Sequence, residues 1–379
     1  DETRVSIVPL SIPKLNKLGF EVIIEKGAGE KSGYSDSEYE DKGGKIGNLE
    51  EVMESELIVS IDVPNFKMME KGQMLACVAD PFRNLEQTKK IIDAGITLLS
   101  LDVIPRRLSR GQAMDVNSSQ DNLSGYRAAL MGSLHISKMV PMMMTAAGTV
   151  RPAKFVIQGA AVAGLQAIAT AKRLGAAIQA IDVRLAAKQD TESLGAKFID
   201  VPGWKDAESS SGHATLFTDK GLQEAFDNAL MDAVKDADVV ITTARLFGAD
   251  APKLFFNKEN NDKMTKEMKE GSVIVDMNTD TGGNIVGSKR GEIVEKDGVT
   301  IIGIPTLCRT IPNTASMLYS NNITNFVTVL VDDGKLVINP EEQVLTGDEG
   351  GISAGYGGIL IIENGKINEN QTKLMEALK

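Results

Sequence analysis

Short apolar runs alternate with stretches of helical period along most of the chain. Residues 20–25 (FEVIIE), 57–61 (LIVSI), 73–78 and 97–100 have the length and β-branched content of strands. Between them, residues 11–18 and 84–94 carry apolar positions at helical spacing, bounded by polar or glycine punctuation. A long helix is predicted from about residue 119 to residue 142. Further strands follow at 155–158, 177–182, 198–201, 238–242, 272–276 and 300–302, then a helix over roughly 314–331. The tail predicts a hairpin, with strands at 358–363 and 366–368 around the turn Asn364-Gly365. This alternation predicts an α/β fold of two domains, each a mostly parallel sheet with helices on both faces. Residues 310–379 are expected to return to the first domain, because the piece is short and has few core residues of its own.

Length and composition narrow the classes. The 379 residues suffice for two to three domains, at about 150 residues each. A hydrophobic share of 42% excludes general disorder. Lys plus Arg total 41 against 52 Asp plus Glu, a net charge of −11, which disfavours nucleic acid as a partner. Cys77 and Cys308 match no redox or metal spacing, and His135 and His213 form no ligand cluster. His135, in an apolar helix, reads as a satisfied packing residue. The most apolar stretch, residues 155–171, contains Gln158 and Gln166 and reads as strand, turn and helix, not as a membrane span. The chain begins at Asp1 without Met or a signal peptide, so it is expected to be a soluble piece of something longer. Residues 202–215 (PGWKDAESSSGHAT) are polar and long for a βα connection, and are expected to be mobile.

Candidate chemistry concentrates after the strand at 155–158. Gly159-Ala160-Ala161-Val162-Ala163-Gly164 follows directly, and a helix starts at about Val162 and ends near Gly175. Asp182 ends the next strand, 23 residues after Gly159. This is the Rossmann arrangement: a glycine turn, a helix N-terminus for the pyrophosphate and an acid for the ribose 2′-hydroxyl. Ala161 stands where a second glycine usually lets the backbone approach the ligand. Asp182 would repel a 2′-phosphate, favouring NAD(H) over NADP(H), although Arg184 lies two residues on.

With that turn, four further stretches carry a resemblance: PMMMTAAGTV at 141–150, SSQDNLSGYR at 118–127, AGLQAIATAKRLGA at 163–176 and Asp182-Val183-Arg184. Together they resemble the NAD(H)-binding component, domain I, of proton-translocating nicotinamide nucleotide transhydrogenases, a family that shares its fold with alanine dehydrogenase. The resemblance runs from Thr3-Arg4-Val5 to residues 322–326, with a fainter echo into the tail. It implies two Rossmann-like domains, the first discontinuous: residues 1–117 with 311–379, and an NAD(H) domain over 118–310. It also implies transfer of a hydride between NADH and NADP⁺ held on a partner domain. That transfer is coupled to proton movement through a transmembrane domain. The chain would be a peripheral part of a membrane complex, and a homodimer.

The resemblance also implies roles for residues. Within 107–118 (RLSRGQAMDVNS), Arg107, Gln112, Asp115 and Ser118 fall on the positions that orient the nicotinamide ring. Physically, an Arg–carboxylate pair is pre-organised, and a guanidinium and a hydroxyl suit the carboxamide. Hydride transfer needs positioning, not an acid or a base from the protein. Gly159, Ala161, Val162, Gly164, Asp182, Val183 and Arg184 would hold the nucleotide. Thr242-Thr243-Ala244, after a strand, lies where a Rossmann fold lines the cofactor crevice. Residues 276–284 (DMNTDTGGN) resemble the family's DLAxExGGN, bringing Asp280, Gly282 and Asn284 toward the nicotinamide. Asp280 is either a ligand-facing acid or a turn residue. In the loop at 202–215 the family's closing tyrosine is replaced by Ser211-Gly212-His213-Ala214, and His213 either stacks on adenosine or is solvated. The methionine run 142–144 reads as core or interface filling. An alanine dehydrogenase would need a lysine near Ile61 and a histidine near Val78. LIVSIDVP and LACVADP contain neither. Asp280 and Arg4 keep that alternative open, as the Ala161 and His213 departures do for a non-catalytic NAD-binding module.

Overall fold

The computed structural model describes residues 2–204, 217–246 and 248–379. Backbone contacts divide the chain into two compact units, Asp1–Gln120 with Arg309–Lys379, and Asp121–Cys308. The first unit opens with three parallel strands, β1 (Leu57–Asp62), β2 (Met74–Val78) and β3 (Thr97–Ser100), with helix α1 (Leu85–Ala94) joining the last two. Helix α1 ends where Gly95 turns left-handed at φ +72°. Helix α2 (Val116–His135) then carries the chain across the unit boundary.

In the second unit, strands and helices alternate. They are β4 (Lys154–Gln158), α3 (Val162–Arg173), β5 (Ala177–Ile181), α4 (Ala186–Ser193), β6 (Lys197–Phe198), α5 (Lys220–Lys235), β7 (Val239–Thr242), α6 (Lys258–Glu267), β8 (Val273–Asp276), β9 (Ile293–Lys296) and β10 (Val299–Ile302). The sheet order is β6-β5-β4-β7-β8-β10-β9, parallel except for the β9–β10 pair. Every residue of β7 and β8 is buried, which is why both read as uninterrupted apolar runs. Val156, Val240 and Ile274 pack with Leu222, Phe226, Leu230 and Val234 of α5 and Met264 of α6. On the other face Phe155, Ile157, Val239, Ile241 and Val275 pack with Ala163, Ala167, Ile168 and Ala171 of α3 and with Ala128 and Ala129 of α2. The sheet is covered on both sides.

The chain returns through α7 (Pro312–Phe326), and the tail supplies β11 (Leu360–Glu363) and β12 (Lys366–Ile367). These two strands join antiparallel to complete the order β12-β11-β3-β2-β1. Asn364 at φ +49° and Gly365 at φ +77° form the hairpin turn, as the Asn-Gly pair predicts. Helix α7 holds the N-terminal segment: the amides of Val5 and Val8 donate to the hydroxyls of Ser316 (2.9 Å) and Ser320 (3.0 Å). Ile7, Ile12 and Leu15 share one core with Tyr319, Ile323 and Phe326.

Four elements differ from expectation. The segment at 20–25 gives only the strand Ile23–Glu25, which pairs with Lys45–Gly47 outside the main sheet. Helix α2 stops at His135, short of residue 142, because Pro141 disfavours helix at the residue before it and lacks an N–H of its own. The strand at 198–201 ends at Phe198, shortly before Pro202. Helix α7 ends at Phe326, short of residue 331, and the chain tightens into a 3₁₀ turn, Val327–Val329. The methionine run lies on a hairpin, Met143–Thr145 with Gly148–Val150, and Met142 and Met144 are 61% and 73% exposed. Core filling is therefore corrected for these residues. His135 is satisfied, its Nδ1 lying 2.8 Å from the Met131 carbonyl.

The N-terminal anchor has a pH signature. The Glu2 carboxylate lies 2.9 Å from Arg4 Nε and 2.8 Å from Arg309 Nε. Burial pushes its carboxyl up, but the Arg4 hydrogen bonds and charge, with the Arg309 charge, outweigh burial and bring it from 4.5 to about 2. A depressed carboxyl stabilises the fold above its unfolded value and loses that contribution as pH falls through the folded one. Between about pH 4.5 and 2, the unfolding midpoint of the unmodified chain should therefore fall more steeply than that of Glu2→Gln. Equal slopes in a denaturation series would contradict the anchor.

Candidate functional site

The turn after β4 is built by close backbone approach. Gly159 sits at φ +91°, where an L side chain is strained. A Cβ on Gly164 would lie 1.8 Å from the Gly159 carbonyl oxygen, so α3 reaches the turn only with glycine there. Ala161, the departure from the glycine pattern, is extended at φ −88° and exposed, and its methyl strains nothing in the backbone. Ala161 is the N-cap of α3, no side chain caps the helix, and the first intrahelical bond runs from the Leu165 amide to the Ala161 carbonyl at 2.8 Å. Val162 and Gly164 thus lie in a first turn whose amides and dipole favour an anion. The cradle fits a pyrophosphate on this geometry.

Asp182, at the end of β5, is tied into the turn. Its Oδ2 accepts the Ala160 amide at 2.7 Å and Arg184 Nη2 at 2.9 Å. Its Oδ1 accepts the Arg184 amide at 2.8 Å and Arg184 Nε at 3.0 Å. The acid therefore shapes the glycine turn and carries the guanidinium of Arg184, a structural role that spacing alone did not reveal. Val183, between them, is half-buried and packs toward the α5 face.

Beside the turn, Thr243 Oγ1 donates toward the Gln158 (3.2 Å) and Gly159 (2.9 Å) carbonyls, joining the end of β7 to the turn. Ala244 offers its carbonyl to Asn278 Nδ2 (3.0 Å) and Asn284 Nδ2 (2.9 Å). Asn284 is fully buried and also donates to the Pro252 carbonyl at 2.6 Å, so its side chain holds loops together. Asp276 accepts the amides of Asn278 (3.1 Å), Asn284 (3.2 Å) and Ile285 (3.1 Å), fixing the loop in which Gly282 sits at φ +90°. Asp280 lies 3.4 Å from Arg245 Nη2, and its Oδ1 is buried without a partner among the described residues. The structure thus brings Gly159, Ala161, Val162, Gly164, Asp182, Val183, Arg184, Thr242, Thr243, Ala244, Asp280, Gly282 and Asn284 into one unit. Gly212 and His213, and most of the loop at 202–215, lie outside the described residues.

Arg107, Gln112, Asp115 and Ser118 belong to the first unit. Asp115 precedes α2 and caps it: Oδ1 accepts the Ser118 amide at 2.9 Å, and Oδ2 the Ser118 hydroxyl at 2.6 Å. Its ion partner is Arg106, at 3.4 Å, rather than Arg107. This corrects the pair expected within the set. Arg107 and Gln112 are exposed, with the Arg107 guanidinium beside Gly350.

A functional residue missed by spacing is Gln158, whose Oε1 is buried without a partner among the described residues, as is Thr242 Oγ1. The only signal was a glutamine ending an apolar strand.

Fold and turn define a Rossmann-type dinucleotide-binding α/β protein. Family models match both halves of the chain: alanine dehydrogenase/PNT, N-terminal domain, over residues 1–124, and alanine dehydrogenase/PNT, C-terminal domain, over residues 128–366. The chain belongs to this alanine dehydrogenase/PNT family. It is 40% identical over 352 residues to the first of the polypeptides that make up the NAD(P) transhydrogenase alpha subunit of Rickettsia prowazekii, covering 90% of each chain. Alanine dehydrogenase 1 of Staphylococcus aureus is 26% identical over 360 residues, covering 91% of this chain and 89% of that one. The crystal structure of transhydrogenase from Sinorhizobium meliloti superposes with a TM-score of 0.81 at 36% identity, covering 97% of this chain and 96% of that one.

Because the Gly164–Gly159 approach leaves no room for a methyl, Gly164→Ala must open the turn. NADH affinity should fall by roughly 10-fold or more, since first-turn amides act only at short range. A calorimetric titration that finds it unchanged would show that the turn does not hold the nucleotide.

Proposed function

We propose that the chain is the NAD(H)-binding component of a proton-translocating NAD(P) transhydrogenase, passing a hydride between NADH and NADP⁺ held on a partner domain. The observation that carries this reading is the uncapped α3 N-terminus behind the Gly159–Gly164 turn, in a chain similar to transhydrogenase alpha subunits along nearly its whole length. Bound NADH supplies the hydride, and the protein positions it. The first turn of α3 takes the pyrophosphate, Asp182 and Arg184 meet the adenosine ribose, and residues 242–244 and 280–284 line the crevice beyond. Arg107, Gln112, Asp115 and Ser118 orient the nicotinamide, with Asp115 acting through the Arg106 pair and the Ser118 hydroxyl. Residues 1–117 with 311–379, and 118–310, serve as the two functional domains. Partners are an NADP(H)-binding domain, a transmembrane domain and a second copy of the chain. Among the described residues no helix is long and apolar enough to cross a membrane, which fits a peripheral role.

The carboxyl ends of β1, β2 and β3 support this reading over amino-acid dehydrogenation. Asp62, Asp80 and Asp102 lie there, with no lysine or histidine among residues 57–62, 74–80 and 97–102. Burial raises the Asp102 carboxyl despite its 2.6 Å bond from the Ser100 hydroxyl. An acidic edge repels a 2-oxo acid, and none of these three segments offers it an ammonium or an imidazole.

Two measurements check the assignment. NADH should bind more tightly than NADPH, and Asp182→Asn should narrow that preference while weakening both, because it also releases Arg184. Equal affinities in the unmodified chain, by calorimetry, would remove the role of the acid. Gln112→Asn shortens the side chain without changing its chemistry. It should leave NADH affinity within a few-fold but slow stopped-flow transfer to an NADP⁺-loaded partner domain by about 10-fold, on the order of 1.4 kcal/mol in the barrier. Unchanged transfer would make the 107–118 loop structural only.

A further inference from the structure

We propose that Gln158, with Thr242 beside it, forms a subsite for a ribose hydroxyl of the bound dinucleotide, an inference that rests on the nucleotide-binding reading above. The chain leaves β4 toward β5 on one side and comes back as β7 on the other. The β4–β7 pair is therefore the switch point of the sheet, where open α/β sheets bind ligands beyond their carboxyl ends. Gln158 and Thr242 are the last residues of these two strands and direct register partners. Partners in parallel strands project to the same face, and Asp276 is the next partner along.

Four polar residues gather at these strand ends, and two have their hydrogen bonds made. Thr243 Oγ1 serves the Gln158 and Gly159 carbonyls, and the Asp276 carboxylate accepts backbone amides on both oxygens. Gln158 Oε1 and Thr242 Oγ1 have no partner among the described residues, although the residues are only 8% and 0% exposed. Leaving one buried oxygen unpaired costs roughly 1–3 kcal/mol, and two side by side mark a place that awaits a ligand. The chemistry selects the group. An amide oxygen only accepts, so the ligand must bring a hydrogen, which excludes an ionised phosphate. A sugar hydroxyl donates to Gln158 Oε1 while accepting from the Thr242 hydroxyl, satisfying both.

Gln158→Met and Thr242→Val remove each oxygen at nearly constant volume. The free variants, NADH and ADP-ribose suffice for the test, with either variant informative alone. Each substitution should weaken NADH and ADP-ribose alike by roughly 3- to 10-fold, the value of one neutral hydrogen bond. The melting temperature of the free chain should hold or rise, because an unpaired buried oxygen is gone. Affinities within two-fold of the unmodified chain would overturn the subsite, as would a lower melting temperature with unchanged binding, which marks an internal structural bond. A loss confined to NADH would place the contact on the carboxamide and overturn the sugar assignment. If the unmodified chain binds neither ligand, the nucleotide-binding reading fails instead, a result distinguishable from the others.

Discussion

The second unit depends on one close approach, that of Gly164 in α3 to the carbonyl of Gly159. At that distance no side chain fits, and the helix is drawn over the end of β4 with its N-terminus at the turn. Asp182 secures the arrangement from β5 by accepting the Ala160 amide, and Thr243 secures it from β7 by donating to the Gly159 carbonyl. Adjacent strands thus converge on this one turn. The crevice is pre-shaped before any ligand arrives, which lowers the ordering cost of binding.

A different constraint shapes the first unit. Its strands come from both ends of the chain, so the long second unit is in effect an insertion. Closing such a long loop costs little more entropy than closing a shorter one, since the cost grows only logarithmically. What holds the two ends is specific: hydroxyls of Ser316 and Ser320 on the amides of Val5 and Val8, and Glu2 between Arg4 and Arg309. The antiparallel β11–β12 hairpin completes the sheet that β1, β2 and β3 begin.

Much of the fold was legible because buried parallel strands leave plain apolar runs. Residues 155–158, 238–242 and 272–276 could scarcely be anything else, and Asn364-Gly365 dictated its turn. The glycine turn was legible too, with Ala161 proving compatible at φ −88°. Proline placed two limits the periodicity missed, at α2 and after Phe198. The site was less legible, because partners are set by geometry and not by spacing. Asp115 caps α2 and pairs with Arg106, and Asn284 is committed to the carbonyls of Ala244 and Pro252. Gln158 looked like an interruption in an apolar strand until its side-chain oxygen proved to be buried and unpartnered among the described residues.

The central claim is that this chain holds a dihydronicotinamide for direct transfer to a second nucleotide. The decisive measurement is isotopic: NADH carrying deuterium at the transferred position, mixed with this chain and an NADP⁺-loaded transhydrogenase partner domain, with the product examined by mass spectrometry. The account predicts that deuterium appears in NADPH without dilution by solvent protons, and that omitting this chain abolishes transfer. Oxidation of alanine with NAD⁺ by this chain alone, with no deuterium reaching NADPH when the partner is present, would contradict it.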